Sequence, residues 1–178
     1  MSFNKTLLAM VLAFSAAPAF ANEGAAFIRA EAGRTDLTVD GVEGDDTGIS
    51  VRGGYFFNQN FAIEGFYANY GEDSDGGARI KADGYGVGVV GKANFGEAPY
   101  TGFFINGRAG VAHNTLDVRV AGLGSVDDTD TNYYIGVGGG YDFNRNVGIS
   151  LNYDYQKPKV FDTRFKVETL TVGVEYRF

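Results

Sequence analysis

Apolar residues alternate one for one with polar or small residues through most of this chain, and nowhere in those stretches do they recur at a helical spacing. Val147–Gln156 is typical. Val147, Ile149, Leu151, Tyr153 and Tyr155 form one set; Gly148, Ser150, Asn152, Asp154 and Gln156 form the other. A period of two sends the sets to opposite faces of a strand. Eight stretches read this way: Ala26–Arg34, Thr47–Phe57, Phe61–Tyr70, Arg79–Ala93, Gly102–Asn114, Asn132–Phe143, Val147–Gln156 and Lys166–Phe178. A helical fold is excluded, and the question becomes what the two faces meet.

The connections between stretches alternate in length. Phe57–Asn60 ("FNQN") and Phe143–Asn146 ("FNRN") are tight, and their asparagines suit the positive φ of short hairpins. Ala93–Tyr100 is somewhat longer. Asp36–Asp46, Gly71–Ala78, Thr115–Thr131 and Lys157–Phe165 are long and mostly acidic, and they read as loops. Gly54–Tyr67 ("GYFFNQNFAIEGFY") and Gly140–Tyr153 ("GYDFNRNVGISLNY") echo one another, each a strand, an Asn-rich turn and a return strand.

One set of alternating residues is apolar, with Tyr and Phe near the stretch ends: Ile49, Val51 and Tyr55; Phe103, Ile105 and Val111; Tyr133, Ile135, Val137 and Tyr141. The other mixes glycine with charge. A soluble sandwich would bury the first set. A membrane barrel turns it toward lipid, with aromatic girdles at the headgroups. The chain start favours the barrel. Lys5 is followed by the apolar run Thr6–Phe14 and the small-x-small site Ala19-Phe20-Ala21, the pattern of a secretory signal peptide over residues 1–21. Residues 22–178 would then form one barrel domain. The chain has no cysteine, so disulfides do not staple this exported fold. Its net charge of −7 gives no basic footprint for nucleic acid.

The polar face carries Arg29, Glu31, Arg52, Glu64, Lys92, Arg108, Asp142, Asp154, Glu175 and Arg177, five of each sign. Buried charges must be paired, so these predict an ion-pair network inside a narrow lumen, with Lys92 and Asp142 partly at the wet rims. An eight-stranded barrel is just wide enough for side chains to fill. The runs Gly84-x-Gly86-x-Gly88 and Gly136-x-Gly138-x-Gly140 would make room for Arg52, Arg108 and Tyr134.

With its "AFA" cleavage site, the Gly54–Tyr67 hairpin, the Gly-x-Gly strands and the closing "LTVGVEYRF", the chain resembles the small eight-stranded outer-membrane barrels of the OmpA-like and OmpX/Ail-like type. The resemblance covers Ala26–Phe178. It implies an all-β, antiparallel, up-and-down transmembrane barrel in the outer membrane of a Gram-negative bacterium. It also implies that Leu170, Val172, Val174, Tyr176 and Phe178 are read by the barrel-assembly machinery. No peptidoglycan-binding domain is expected, so wall anchoring is not implied.

The expected function is non-enzymatic: outer-membrane integrity, or adhesion through the acidic connections. The expected partners are outer-membrane lipids and lipopolysaccharide, the barrel-assembly machinery and a surface partner, with the barrel itself a monomer. No cofactor is expected. Two alternatives are a lipid-modifying enzyme and a small low-conductance channel. For the enzyme, the sole histidine, His113, is the only base candidate, and by parity it faces lipid beside Asn114 and Thr115, without an adjacent serine. The runs Glu72–Asp75 and Asp127–Asp130 would suit weak divalent bridging to lipopolysaccharide rather than a dedicated metal site.

Overall fold

All eight alternating stretches are strands. The computed structural model describes residues 24–39, 42–75, 78–98, 100–120, 124–157, 159–160 and 163–178, and the expected leader lies outside them. The strands are β1 (Ala25–Val39), β2 (Val42–Phe56), β3 (Phe61–Asp75), β4 (Ala78–Asn94), β5 (Gly102–Val120), β6 (Gly124–Asp142), β7 (Val147–Gln156), β8 (Lys159–Val160) and β9 (Thr163–Arg177). Each of β1 to β7 pairs antiparallel with its chain neighbours, β7 pairs with β9, and β9 closes on β1 from Phe27↔Arg177 to Val39↔Phe165. The two-residue β8 pairs only with β9, along the line of β7, so the closed barrel has eight staves. Closure removes the sheet edges that a bilayer cannot satisfy.

The faces are inverted relative to a water-soluble protein. Ile49, Phe103, Ile135, Val137, Leu151 and Val172 are exposed on the outside, whereas Arg29, Glu31, Arg52, Glu64 and Arg177 are buried within. An apolar surface that wraps the whole barrel far exceeds the few hundred Å² a soluble monomer exposes. Aromatic pairs ring the short-turn end, among them Tyr55–Phe57, Phe103–Tyr141 and Tyr176–Phe178.

Two buried apolar clusters bracket the interior charges. Phe66, Ala68, Tyr70, Ala112, Tyr134 and Val167 pack in the outer half. Phe27, Phe56, Ala62, Val90 and Tyr100 close the short-turn end. Tyr100 reaches that plug from the β4–β5 connection with a φ of 56°. A left-handed backbone costs a side-chain-bearing residue about 1–2 kcal/mol. Here it folds the ring under the barrel, edge-on to Phe56 at 5.7 Å and beneath the Arg177 guanidinium at 5.1 Å.

The two tight turns work differently from the expectation of positive φ. Among the described residues the only non-glycine with positive φ is Tyr100. The asparagines act through their side chains instead. Asn58 Oδ1 accepts hydrogen bonds from the backbone N–H groups of Asn60 (2.8 Å) and Phe61 (2.9 Å). Asn144 Oδ1 does the same for Asn146 (2.8 Å) and Val147 (2.9 Å). The last asparagine of each turn then reaches sideways: Asn60 Nδ2 donates to the Lys92 carbonyl at 2.9 Å and Asn146 Nδ2 to the Arg177 carbonyl at 2.8 Å. The backbone N–H groups of Lys92 and Arg177 return the bond, each at 2.7 Å. The sequence echo is thus an echo of hydrogen bonds.

The largest departure from expectation is at the other end. The acidic runs Asp45-Asp46, Glu72–Asp75 and Asp127–Asp130 lie within strands β2, β3 and β6 rather than in loops. The connections that remain there are short. Hairpin pairing above a membrane needs no apolar face, so alternation fades while the backbone ladder continues.

Candidate functional site

The interior network is built by strand parity. Because β1, β2, β5, β7 and β9 each turn alternate residues inward, charges two residues apart stack along the lumen. Glu31 on β1 is the hub. Its carboxylate accepts from Arg52 Nε (3.0 Å), Arg108 Nη1 (2.8 Å), Ser50 Oγ (3.1 Å) and Asn152 Nδ2 (3.3 Å), with Arg29 Nη1 at 3.6 Å. Arg52 also donates to Glu64 and Asp154, each at 3.0 Å. Arg108 makes a forked pair with Asp154, through Nε at 2.6 Å and through Nη2. Tyr134 Oη donates to Glu64 at 2.9 Å.

A second group lies toward the short turns. Glu175 accepts from Arg29 Nε at 3.0 Å, again from its Nη2, and from Arg177 Nη1 at 2.6 Å. Arg177 Nη2 donates to Asp142 at 2.8 Å, and Lys92 Nζ lies 2.7 Å from the same carboxylate. Lys92 and Asp142 are therefore buried partners inside the lumen, not rim residues; the Tyr100 plug beneath them keeps water away. The upper group pairs Arg52 and Arg108 with three carboxylates, and the lower pairs Arg29, Lys92 and Arg177 with two. Arg29 touches both Glu31 and Glu175 and joins the groups into one neutral system.

Glycine opens the space for these side chains at two places. A Cβ on Gly136 would overlap Arg108 and the Asp154 carboxylate, and one on Gly88 would overlap the Tyr134 hydroxyl. Above Arg52 the lumen keeps a cavity of about 20 Å³ beside Tyr70, Gln156 and Thr171, room for a single water.

The outer rim has a different architecture. β2 pairs with β3 only as far as Ile49↔Asn69, and β6 with β7 only as far as Tyr134↔Gln156. The ladders β3–β4, β4–β5 and β5–β6 continue to Asp75↔Ala78, Ala78↔Val120 and Val120↔Gly124. The barrel therefore splits as it rises. A four-stranded sheet of β3 to β6 stands on one side; β2, β1, β9 and β8 form the other. The first split has a local cause: the β3–β4 register shifts between Asn69 and Gly71, and Gly71 takes a φ of 126°. A bulge bends its strand away from a neighbour. At the second split, β6 has no ladder partner beyond Tyr134↔Gln156 on that side among the described residues, although the short β8 lies close to it. The split rim was not legible as a site, because no side-chain pattern marks where one ladder stops and the next goes on.

His113 faces outward near this rim. Its ring lies 5.0 Å from that of Tyr85, and Nδ1 is 2.8 Å from Thr131 Oγ1. Among the described residues no carboxylate holds its other nitrogen, so the pair lacks the orienting third group of a hydrolase. Among the described residues no cluster of three or more metal-ligating side chains is present.

A family model described as outer membrane protein beta-barrel domain matches residues 6–178. Several solved structures are similar, three of them as follows. Neisserial surface protein A (NspA) superposes with a TM-score of 0.75 at 17% identity, covering 88% of this chain and 100% of its own. Ail, the attachment invasion locus protein of Yersinia pestis, solved with the heparin analogue sucrose octasulfate, gives 0.67 at 21% identity with the same coverages. The N-terminal β-barrel domain of OprF from Pseudomonas aeruginosa gives 0.59 at 18% identity, again covering 88% and 100%. No curated protein sequence matches the chain.

Proposed function

Since the chain belongs to the outer membrane protein beta-barrel domain family, we propose that it is a non-enzymatic barrel of the Gram-negative outer membrane that works at the cell surface, holding partners along its raised outer sheet. One observation carries this reading: strands β3 to β6 stay paired well beyond the last pairings of β2 with β3 and of β6 with β7. A paired sheet that stands clear of the membrane presents surface on which an extended segment of another protein can lie. Attachment is also in the name of Ail, which shares the fold.

The filled lumen serves in this reading as a polar core that keeps the platform rigid, rather than as a conduit. The membrane partners are outer-membrane lipids, including lipopolysaccharide.

Trimming the β5–β6 hairpin tests the proposal. Replacing residues 117–127 by a two-residue turn removes the outer part of the raised ribbon and leaves the ladder below Leu116↔Asp128 in place. The trimmed protein is expected to reach the outer membrane at the normal level and to keep its folded-versus-boiled gel shift. Cells displaying it should lose adhesion to protein-coated surfaces by at least about tenfold, the loss of one 1.4 kcal/mol increment of binding. Undiminished adhesion of the trimmed barrel would sink the proposal. So would unchanged adhesion combined with detergent sensitivity, which would move the function to envelope integrity.

The closing residues Leu170, Val172, Val174, Tyr176 and Phe178 serve, in the same reading, as the signal for barrel assembly. Phe178 contributes little to the finished barrel: one backbone hydrogen bond to Ala26 (2.9 Å) and an edge-on ring contact with Tyr176 at 5.0 Å. Removing it should cost the folded protein only about 1–2 kcal/mol. Its effect on the rate of membrane assembly, measured by pulse labelling, should be larger. If assembly and stability fall by the same free energy, Phe178 is an anchor and not a signal.

A further inference from the structure

The outer hairpins differ in charge. Residues 34–48, 70–83 and 115–131 carry net charges of −4, −2 and −3, whereas residues 157–168 carry Lys157, Lys159, Arg164 and Lys166 against Asp162 and Glu168, a net +2. The connections expected to be mostly acidic are so at three places, and this one is the exception. The β7–β9 sector is the single basic one on an acidic rim.

Its described side chains are organised around one tyrosine. Lys157 Nζ lies 5.4 Å and Lys166 Nζ 5.9 Å from the centre of the Tyr155 ring. Tyr155 stands opposite Glu168 in the β7–β9 ladder. Glu168 accepts a hydrogen bond from Tyr153 Oη and pairs with Lys166 Nζ at 2.8 Å, which fixes the second lysine in place. Lys157 has no carboxylate within ion-pair distance among the described residues. Its ammonium is held toward Lys166 by the ring face alone, a contact that leaves its N–H donors free for an anion.

The depth of the pair identifies the source of that anion. By strand parity Lys157 follows Tyr153 and Tyr155 on the outward face of β7, and Lys166 follows Leu170 and Glu168 on the outward face of β9. Leu170, Val172 and Leu151 below them are exposed to the lipid side. Lys166 is four residues beyond Leu170, about 13 Å along the strand. That places it just outside the hydrocarbon, where tyrosines sit and long cationic side chains extend toward headgroups. The ammonium groups are on the wall of the barrel rather than over its mouth.

We infer that Lys157, Lys166 and Tyr155 form a binding site for the phosphate of an outer-leaflet lipid whose chains lie along Leu151, Leu170 and Val172. The site is separate from the raised β3–β6 sheet and stands or falls without it. A basic residue near an anionic membrane surface contributes about fivefold in affinity, so the pair accounts for about 25-fold.

Native mass spectrometry of the detergent-purified, full-length barrel with added diphosphoryl lipid A tests this. Dephosphorylated lipid A serves as the comparison. The wild-type protein is expected to favour the phosphorylated form by at least about tenfold, and the double variant Lys157→Gln/Lys166→Gln to lose that preference. Lys81→Gln, which removes an outward ammonium from β4 in an acidic sector, should keep it. An unchanged folded-versus-boiled gel shift for all variants shows that the barrel is intact; if the double variant does not fold, Lys157→Gln alone is read, with a loss of about fivefold expected. Equal binding of the two lipids overturns the site, as does an equal loss from Lys81→Gln. Displacement of the lipid by millimolar inorganic phosphate also overturns it, because the ligand would then be a soluble anion.

Discussion

Replacing Glu31 by glutamine is expected to destabilise the folded barrel by about 3–5 kcal/mol, the cost of breaking a buried ion pair from one side. Glu31 is the acceptor shared by Arg52, Arg108 and Arg29. Glutamine keeps its shape and one acceptor oxygen but leaves the joined network, five cations against four carboxylates, with a surplus positive charge in a lumen that has no exit for it. The second substitution in the cycle is Arg108→Gln. If charge balance is what matters, the double variant should lose less than the two single losses together, with a coupling of about 1–3 kcal/mol. Urea unfolding in lipid vesicles, followed by the folded band on unboiled gels, measures all three. A Glu31→Gln loss below about 1 kcal/mol, or simple additivity, would mean that the charges are solvated and the interior is wet.

A second large loss is expected from the outside of the molecule. Val137 is 62% exposed and lies four residues from each of the two outward tyrosines of β6, Tyr133 and Tyr141. That puts it at the bilayer midplane, where arginine on a barrel's lipid face costs about 2–4 kcal/mol. Val137→Arg should lose that much in vesicles, whereas Tyr133→Arg, near the interface, should lose no more than about 1 kcal/mol. In a soluble protein both would be ordinary surface substitutions within about 0.5 kcal/mol of neutral. A flat response along β6 would remove the membrane from the account.

The depth gradient was legible before any coordinates, because it follows from parity alone. Tyr133, Ile135, Val137 and Tyr141 share a face in any strand, and the glycines opposite them rule out a second apolar layer. The same argument placed the ten charged residues on one face. It could not say that Glu31 would be the hub, or that Arg29 would link two groups. Those facts depend on how far each strand is staggered against the next around the closed barrel, and that stagger is a property of all eight staves together. The outer rim was misread for a related reason. Asp127–Asp130 looks like a loop because strands were recognised by their apolar face, and above the membrane β6 needs none. Lys92 and Asp142 were placed too near water because nothing in "ANFGEAPY" announces that Tyr100 turns back to cover them.

Alternation also leaves an ambiguity that the sheet has to resolve. If a strand slides by one residue, every side chain changes face and lipid rejects it. If it slides by two, inside stays inside and outside stays outside, and the hydrophobic effect registers almost no difference. The paired turns at Asn58–Asn60 and Asn144–Asn146 detect that second kind of error. Each exchanges two hydrogen bonds with one backbone position on the strand beyond its own hairpin, Lys92 in one case and Arg177 in the other. A two-residue slip would break both bonds and carry the attached cation away from Asp142. The turns act as a parity-independent check on alignment, applied twice, 86 residues apart, to an otherwise degenerate code.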